Sequence, residues 1–272
     1  MKSLTSTLRF MGLSAMFKEM LRRVFGIKYR YNNVLVSSEA IFRILREIKF
    51  KGYNLYGSGN EVVVQTSFGE VAVDVKDIDL LSVLIVDPLE EMYTCTNLRD
   101  AVVIDVGAYI GETALLFLSK GAKRVYAFEP VNRHFHYLIR NIARNNAEGK
   151  IIPSNCGVWF RNTTIHVDYS GIGTGLRMDG ERQIALKVKG LGDVLKTIFN
   201  EEGRIDLVKM DCEGCEYSLL KLEKEIVKLS KQYVIEVHGP ESPIIDKMSV
   251  CGYRVKFVKR INQWITLYLF NS

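Results

Sequence analysis

The feature that most constrains this chain is the stretch VVIDVGAYIGETALLF at 102–117. β-branched apolar residues, an acid, two glycines four apart and then a helical run describe a strand, a tight turn and a helix. In an α/β fold that turn faces the ligand crevice. A turn built for a pyrophosphate at a helix N-terminus would not welcome a carboxylate beside it, so Asp105 points to a ligand that is not anionic at this end.

The regular punctuation continues. Strands are expected at 101–107, 124–130, 150–158, 205–211, 232–239, 253–260 and 264–270, separated by helices at 111–120, 131–146, 213–229 and 241–251. Alternating strands and helices imply a parallel sheet covered on both faces, and the last two adjacent strands imply an antiparallel edge. Two more short strands (164–169 and 182–189) flank a glycine-rich loop, Ser170–Gly175, which lacks the Gly-Lys-Ser/Thr of a phosphate loop and reads as a lid or a hairpin tip. Upstream, 39–49 reads as a helix and 61–75 as a hairpin turning near Ser67–Gly69.

With 272 residues, 47% of them hydrophobic, the chain can bury a sizeable core. Its net charge of +6 is local: residues 1–30 carry seven basic side chains against Glu19, while the remainder balances. That distribution argues against a nucleic-acid-binding body. Leu13, Met16, Phe17, Met20, Leu21 and Val24 recur at helical spacing among Lys18, Arg22 and Arg23, a basic amphipathic helix. It either packs on its own domain or docks through residues 13–25 on an anionic membrane or a partner. No cleavable signal or membrane-length apolar run is visible, and five scattered cysteines do not form a secreted disulfide framework, so a cytoplasmic setting is expected.

Glu129 ends the second strand, 24 positions after Asp105. An acid there bonds a pair of ribose hydroxyls in α/β nucleotide sites. Together with Asp105 it suits a ligand with a ribose, a base and a positively charged tail; S-adenosylmethionine has all three.

Residues 101–270 resemble the class I S-adenosylmethionine-dependent methyltransferases, and specifically the FkbM family. The resemblance rests on DVGAYIGETALLF (105–117), VYAFEP (125–130), FHYLIRNIARNN (135–146), VKMDCEGCEYSLL (208–220) and IEVHG (235–239). It implies a Rossmann-like α/β fold, a seven-stranded sheet mostly parallel with an antiparallel edge, in a methyltransferase domain at 96–272 that follows an N-terminal helical and β-hairpin appendage at 1–95. It also implies methyl transfer to a hydroxyl of a sugar, glycolipid or small metabolite. Tyr109 stands where the family often has Asn, and Gly190-Leu-Gly-Asp193 replaces a more usual Thr-Leu-Asp-Asp.

On this reading Asp105, Gly107, Ala108, Tyr109, Gly111 and Thr113 form the methionine-side turn. Glu129 and Pro130 take the ribose side, Asn155 and Cys156 approach the adenine, and Asp211 sits between cofactor and acceptor. Lys209, Asp211, Glu213 and His238 face the acceptor, with Glu236 beside them; a hydroxyl needs a base, for which His238, Glu236 and Asp211 are candidates. Mg²⁺ on the same oxygens is the weaker expectation, because the oxygens are spread over two strands, and no resident metal is expected. Cys212-Glu-Gly-Cys215 also has the spacing of a redox dithiol, though packing at a helix start explains it more simply. An RNA methyltransferase and a non-catalytic cofactor-binding adaptor anchored by the basic helix are the alternatives. Against the first stand the absence of an Asn-Pro-Pro-Tyr and of a Pro-Cys nucleophile.

Overall fold

A computed structural model describes residues 2–86, 88–93, 97–169, 176–177, 183–261 and 264–271. The glycine-rich stretch 170–175 and Cys95 lie outside them. The chain divides into two compact units, 1–91 and 92–272.

The first unit opens with α1 (Lys2–Phe25), broken at Gly12, where φ is +85°. A hairpin of β1 (Tyr29–Tyr31) and β2 (Val34–Val36) leads to α2 (Glu39–Phe50), whose N-cap Ser38 accepts from the Ile41 amide. Its buried Ile41, Phe42, Ile44, Leu45 and Ile48 recur at helical spacing. An antiparallel sheet follows, β3 (Asn54–Ser58), β4 (Glu61–Thr66) and β5 (Gly69–Asp74), with the predicted hairpin turn closing at Thr66 and Gly69. β3 escapes sequence reading because its NLYGS carries neither alternation nor β-branched residues. Short turns α3 (Val83–Val86) and α4 (Leu89–Met92) end at the boundary.

In the second unit all seven expected core strands join one sheet. Five are parallel, in the spatial order β14 (Gln232–Val237), β13 (Leu207–Met210), β6 (Val102–Val106), β7 (Arg124–Phe128), β8 (Ile151–Ser154). β16 (Trp264–Asn271) pairs antiparallel with β14, and β15 (Tyr253–Ile261) with β16. Every residue of β6 and β13 is buried, as central parallel strands covered on both faces require. From β6 the chain runs outward to β7 and β8, then resumes on the other side as β13 and β14. The strand order therefore reverses between β6 and β13, where such folds place their ligand crevice. The helices α5 (Glu112–Ser119), α6 (Asn132–Arg144), α7 (Leu191–Glu202), α8 (Lys224–Val227) and α9 (Ser242–Val250) connect the strands.

Three local expectations are corrected. The strand expected at 150–158 ends at Ser154, and β9 (Gly157–Trp159) joins a second sheet with β10 (Thr163–Tyr169), β11 (Leu176–Arg177) and β12 (Gln183–Gly190). α7 went unread because Gly192 and Asn200 depress its helical propensity. The single helix expected at 213–229 is a 3₁₀ segment (Cys215–Lys221) followed by α8. Glu213 and Gly214 have positive φ and Leu222 is extended, so the apolar periodicity of this segment is not carried by one continuous α-helix. No described helix is long and apolar enough to cross a membrane.

Candidate active site

The turn after β6 is shaped by contact rather than by choice of loop. Gly107 has φ +80°, and a Cβ there would lie 1.8 Å from the Asp211 carbonyl oxygen, so the first turn and the end of β13 touch backbone to backbone. Gly111 has φ +95°, and its Cβ would meet Leu138 of α6 at 2.8 Å. The Gly107 and Ala108 amides both donate to the Phe128 carbonyl at 3.0 Å, and Asn141 Nδ2 donates to the Ile110 carbonyl at 2.9 Å. Tyr109, with φ +49°, stacks edge-on against His134. β6, β7, β13 and α6 thus all hold this turn.

Asp105 is fully buried beneath it. Its Oδ1 lies 3.0 Å from Lys209 Nζ, and Thr113 Oγ1 donates to Oδ2 at 2.6 Å. The cation that a strand-end acid implies is met within the chain: Lys209, also buried, donates to the Gly107 carbonyl at 2.7 Å. Burial pushes the Asp105 carboxyl up, against Lys209 and Thr113. Burial would also depress the Lys209 ammonium, but Asp105, Asp211 and Glu112 outweigh it and raise its pKa. Lys209 was grouped in sequence with the acceptor residues; its ammonium instead sits against the turn.

Glu129 is buried at the end of β7. It accepts from the Tyr109 amide (3.0 Å) and the Val131 amide (2.8 Å) and lies 3.3 Å from His134 Nδ1. A carboxylate has about four lone-pair sites, so capacity beyond its two backbone partners remains. Pro130 packs near Gly157, Asn155 is exposed and hydrogen-bonds the Asn132 side chain at 2.6 Å, and Cys156 is buried with its thiol pushed up by that burial. All three occupy the same sheet edge as Glu129.

Across the reversal, the ends of β13 and β14 assemble an acidic cluster around one imidazole. His238 Nε2 lies 3.6 Å from Asp211 Oδ1, 3.6 Å from Glu236 Oε1 and 3.8 Å from Glu213 Oε1. Its Nδ1 is 3.6 Å from Glu216 Oε1. Burial works to lower the pKa of His238, but Glu216, Asp211 and Glu213 push it up to about 9. Donor atoms of Asp211, Glu236 and His238 all lie within 4.8 Å of one another, so the three are compact enough to hold a divalent cation despite coming from two strands.

Glu216 is one of the three acids that sequence places after β13, with no separate role of its own, and Tyr93 is a residue that sequence does not mark. Glu216 is fully buried and accepts from the His238 amide and the Gly214 amide, both at 2.8 Å, tying the β13 loop to β14. Its position two residues after the Glu213–Gly214 bend was the available signal. Tyr93 is buried near Asp211, Asp105 and Glu236, and burial followed by those charges raises its pKa far above the ordinary value. Nothing in its sequence neighbourhood marks it. Cys212 and Cys215 are joined by a disulfide within the loop that carries Asp211 and Glu213, whereas Cys156 and Cys251 are free and buried.

A seven-stranded sheet of five parallel strands with an antiparallel edge pair, its order reversing at a glycine turn, is the Rossmann-like fold of the class I methyltransferases, whose cofactor is S-adenosylmethionine. Within that class the chain belongs to the FkbM family: the methyltransferase FkbM domain matches residues 105–255, more than half of it. Two curated relatives are each 27% identical. One is the methyltransferase sdnD of Sordaria araneosa, over 186 residues, 56% of this chain and 72% of that protein. The other is the hexuronic acid methyltransferase AglP of Haloferax volcanii, over 145 residues, 53% of this chain and 59% of that protein. A solved methyltransferase FkbM from Methylobacillus flagellatus is similar over 93% of this chain and 70% of its own, at 17% identity and a TM-score of 0.48.

Proposed function

We propose that this enzyme methylates a hydroxyl oxygen of a neutral sugar or polyhydroxylated metabolite. The observation that carries the reading is the cluster of Asp211, Glu213, Glu236 and His238 at the strand ends next to the glycine turn. Bound S-adenosylmethionine supplies an electrophilic methyl group on a sulfonium. The donor set suits it: carboxylates rather than phosphate-binding groups line the reversal. The turn from Asp105 to Gly111, with Ala108, Tyr109 and Thr113, would hold its methionine end. Glu129 would take the ribose hydroxyls, and Pro130, Asn155 and Cys156 the base.

Transfer from a sulfonium requires alignment first. The Gly107–Asp211 backbone contact and the Asp105–Lys209 pair would supply it by holding the turn at a constant distance from the acceptor acids; Lys209 is a positioning residue on this account. A hydroxyl must also lose its proton. His238, raised to about 9, is protonated at neutral pH, so Asp211, the more exposed of the flanking carboxylates, would take the proton while His238 holds it in place. Four carboxylates around one imidazole disfavour a phosphate-rich acceptor, which sets the RNA alternative aside. The name of AglP gives a hexuronic acid as a relative's substrate, which supports a sugar acceptor for this chain.

The compact Asp211, Glu236 and His238 set favours a second reading, in which a divalent cation lowers the hydroxyl pKa. One experiment addresses both. The protein is titrated calorimetrically with S-adenosylmethionine, alone and as Glu129→Ala and Asp211→Asn, and then assayed on a sugar panel with Mg²⁺ or with chelator. Cofactor binding lost in Glu129→Ala but retained in Asp211→Asn, with O-methylated product and turnover reduced about 10²-fold in Asp211→Asn, is expected. Methyl groups found on nitrogen or carbon, or full activity in Asp211→Asn, would overturn the proposal. Turnover abolished by chelator and restored by Mg²⁺ would transfer proton activation to the cation.

A further inference from the structure

Helix α1 packs the wrong way round for a helix in water. An amphipathic helix ordinarily turns its apolar stripe inward. Here Leu13, Phe17, Met20 and Val24, spaced four, three and four residues apart and so on one face, are 69, 56, 49 and 66% exposed. Phe25 and Ile27 extend the exposed stripe.

The buried side carries Met11, Ala15 and a carboxylate, with Met16 and Leu21 half-buried at its margins. Glu19 is buried and accepts from Arg22 (2.7 Å), Arg23 (2.9 Å) and the Tyr29 hydroxyl (3.3 Å), and both arginines reach on to Glu39. This network sets the helix's rotation, and turning the stripe inward would break every one of those bonds. The outward stripe is therefore a consequence of specific pairing and not of slack packing.

Charge identifies what covers it. Glu19 is the sole acid among the first 38 residues, and it is buried. Arg9, Lys18, Lys28 and Arg30 are all exposed around the stripe. The exposed Glu39 beside the helix is already paired with Arg22 and Arg23, so the net charge around the stripe is positive, and an apolar face flanked by cations complements a surface that is oily within and negative at its rim. We propose that residues 9–30 seat this protein peripherally on an anionic lipid bilayer, with Leu13, Phe17, Met20 and Val24 entering the headgroup boundary. The inference stands apart from the methyl-transfer reading, because its readout is binding and not turnover.

The test is flotation of the full-length protein with vesicles of phosphatidylcholine, alone or mixed with phosphatidylglycerol, for wild type, Leu13→Ser/Phe17→Ser and Lys18→Gln/Lys28→Gln. Wild type should float with the anionic vesicles, less so as salt is raised, and not with pure phosphatidylcholine. The apolar pair should lower the partition coefficient on the order of a hundredfold, and the lysine pair on the order of tenfold. Both variants should keep wild-type circular dichroism and S-adenosylmethionine binding, since the Glu19 network is untouched. Failure of wild type to float with anionic vesicles overturns the proposal, as do variants that float like wild type. Self-association seen by light scattering, lost in the apolar variant and without vesicle binding, would overturn it in favour of a second copy of the chain.

Discussion

Breaking the Asp105–Lys209 pair tests the architecture most directly. Both side chains are essentially inaccessible, with the ammonium 3.0 Å from Asp105 Oδ1 and 2.7 Å from the Gly107 carbonyl. Lys209→Met keeps the length and the apolar stem but leaves a carboxylate buried with Thr113 as its remaining donor. Removing one partner of such a pair costs about 3–5 kcal/mol, a large share of the ~5–15 kcal/mol typical of a whole protein. The double variant Asp105→Asn/Lys209→Met removes both charges, and Asn can still accept from Thr113. It should return to within about 1–2 kcal/mol of wild type, because replacing both members of a buried pair by neutral groups is often neutral or stabilising. The assay is urea denaturation of wild type, both single variants and the double variant, read as a double-mutant cycle.

The cycle has a pH signature. Without Lys209 the Asp105 carboxyl is pushed further up, above its unfolded value of about 3.9. Its penalty should be absent below that pH and grow by about 1.4 kcal/mol per unit above it, until the folded value is reached. Lys209→Met should therefore approach wild-type stability near pH 4 and fall away toward pH 7. A single variant within about 1 kcal/mol of wild type at neutral pH, one-third of the smallest expected loss, or a double variant no more stable than the singles, would refute the reasoning.

Two further outcomes are expected. His238, raised from an ordinary value of about 6.5 to about 9, stabilises the fold while protonated; that contribution is complete below the unfolded value and is lost as pH rises through 9. The loss is roughly 3 kcal/mol at about 1.4 kcal/mol per unit, and it should vanish in metal-free His238→Gln measured by thermal unfolding from pH 6 to 10. Gly107→Ala adds a Cβ 1.8 Å from the Asp211 carbonyl at positive φ, so the reversal between β6 and β13 must open. S-adenosylmethionine affinity should fall at least about tenfold by calorimetry, as expected when binding geometry is displaced on the order of 1 Å.

What was legible in sequence was whatever repeats on the scale of a strand or helix. VVIDV and LVKM announce central parallel strands because burial on both faces leaves no room for polar alternation. The glycines at 107 and 111 mark the turn because their backbone angles and close neighbours exclude a side chain. What pairs across the sheet was not legible. Asp105 and Lys209 stand 104 residues apart, and only the adjacency of β6 and β13 makes them partners, so the acid was read toward a ligand and the lysine toward an acceptor. The meeting of acids about His238 at these strand ends is legible in sequence, but the bond from the His238 amide to Glu216, which folds the β13 loop back on β14, is not. Local order hid too where bonding overrode periodicity, as in the 3₁₀ segment after Gly214. It did so again in α1, whose apolar stripe predicts the inward face and whose ion pairs choose the other.

The contact between Gly107 and the Asp211 carbonyl has a consequence for how such an enzyme can diversify. The glycine turn and the strand-end acids are there parts of a single piece of masonry, set by strand neighbours that few substitutions can shift. The second sheet, from β9 to β12, leaves that masonry after β8 and rejoins it through α7. Substitutions in the second sheet can therefore alter its own surface while the contact between the glycine turn and β13 stays as the strands set it.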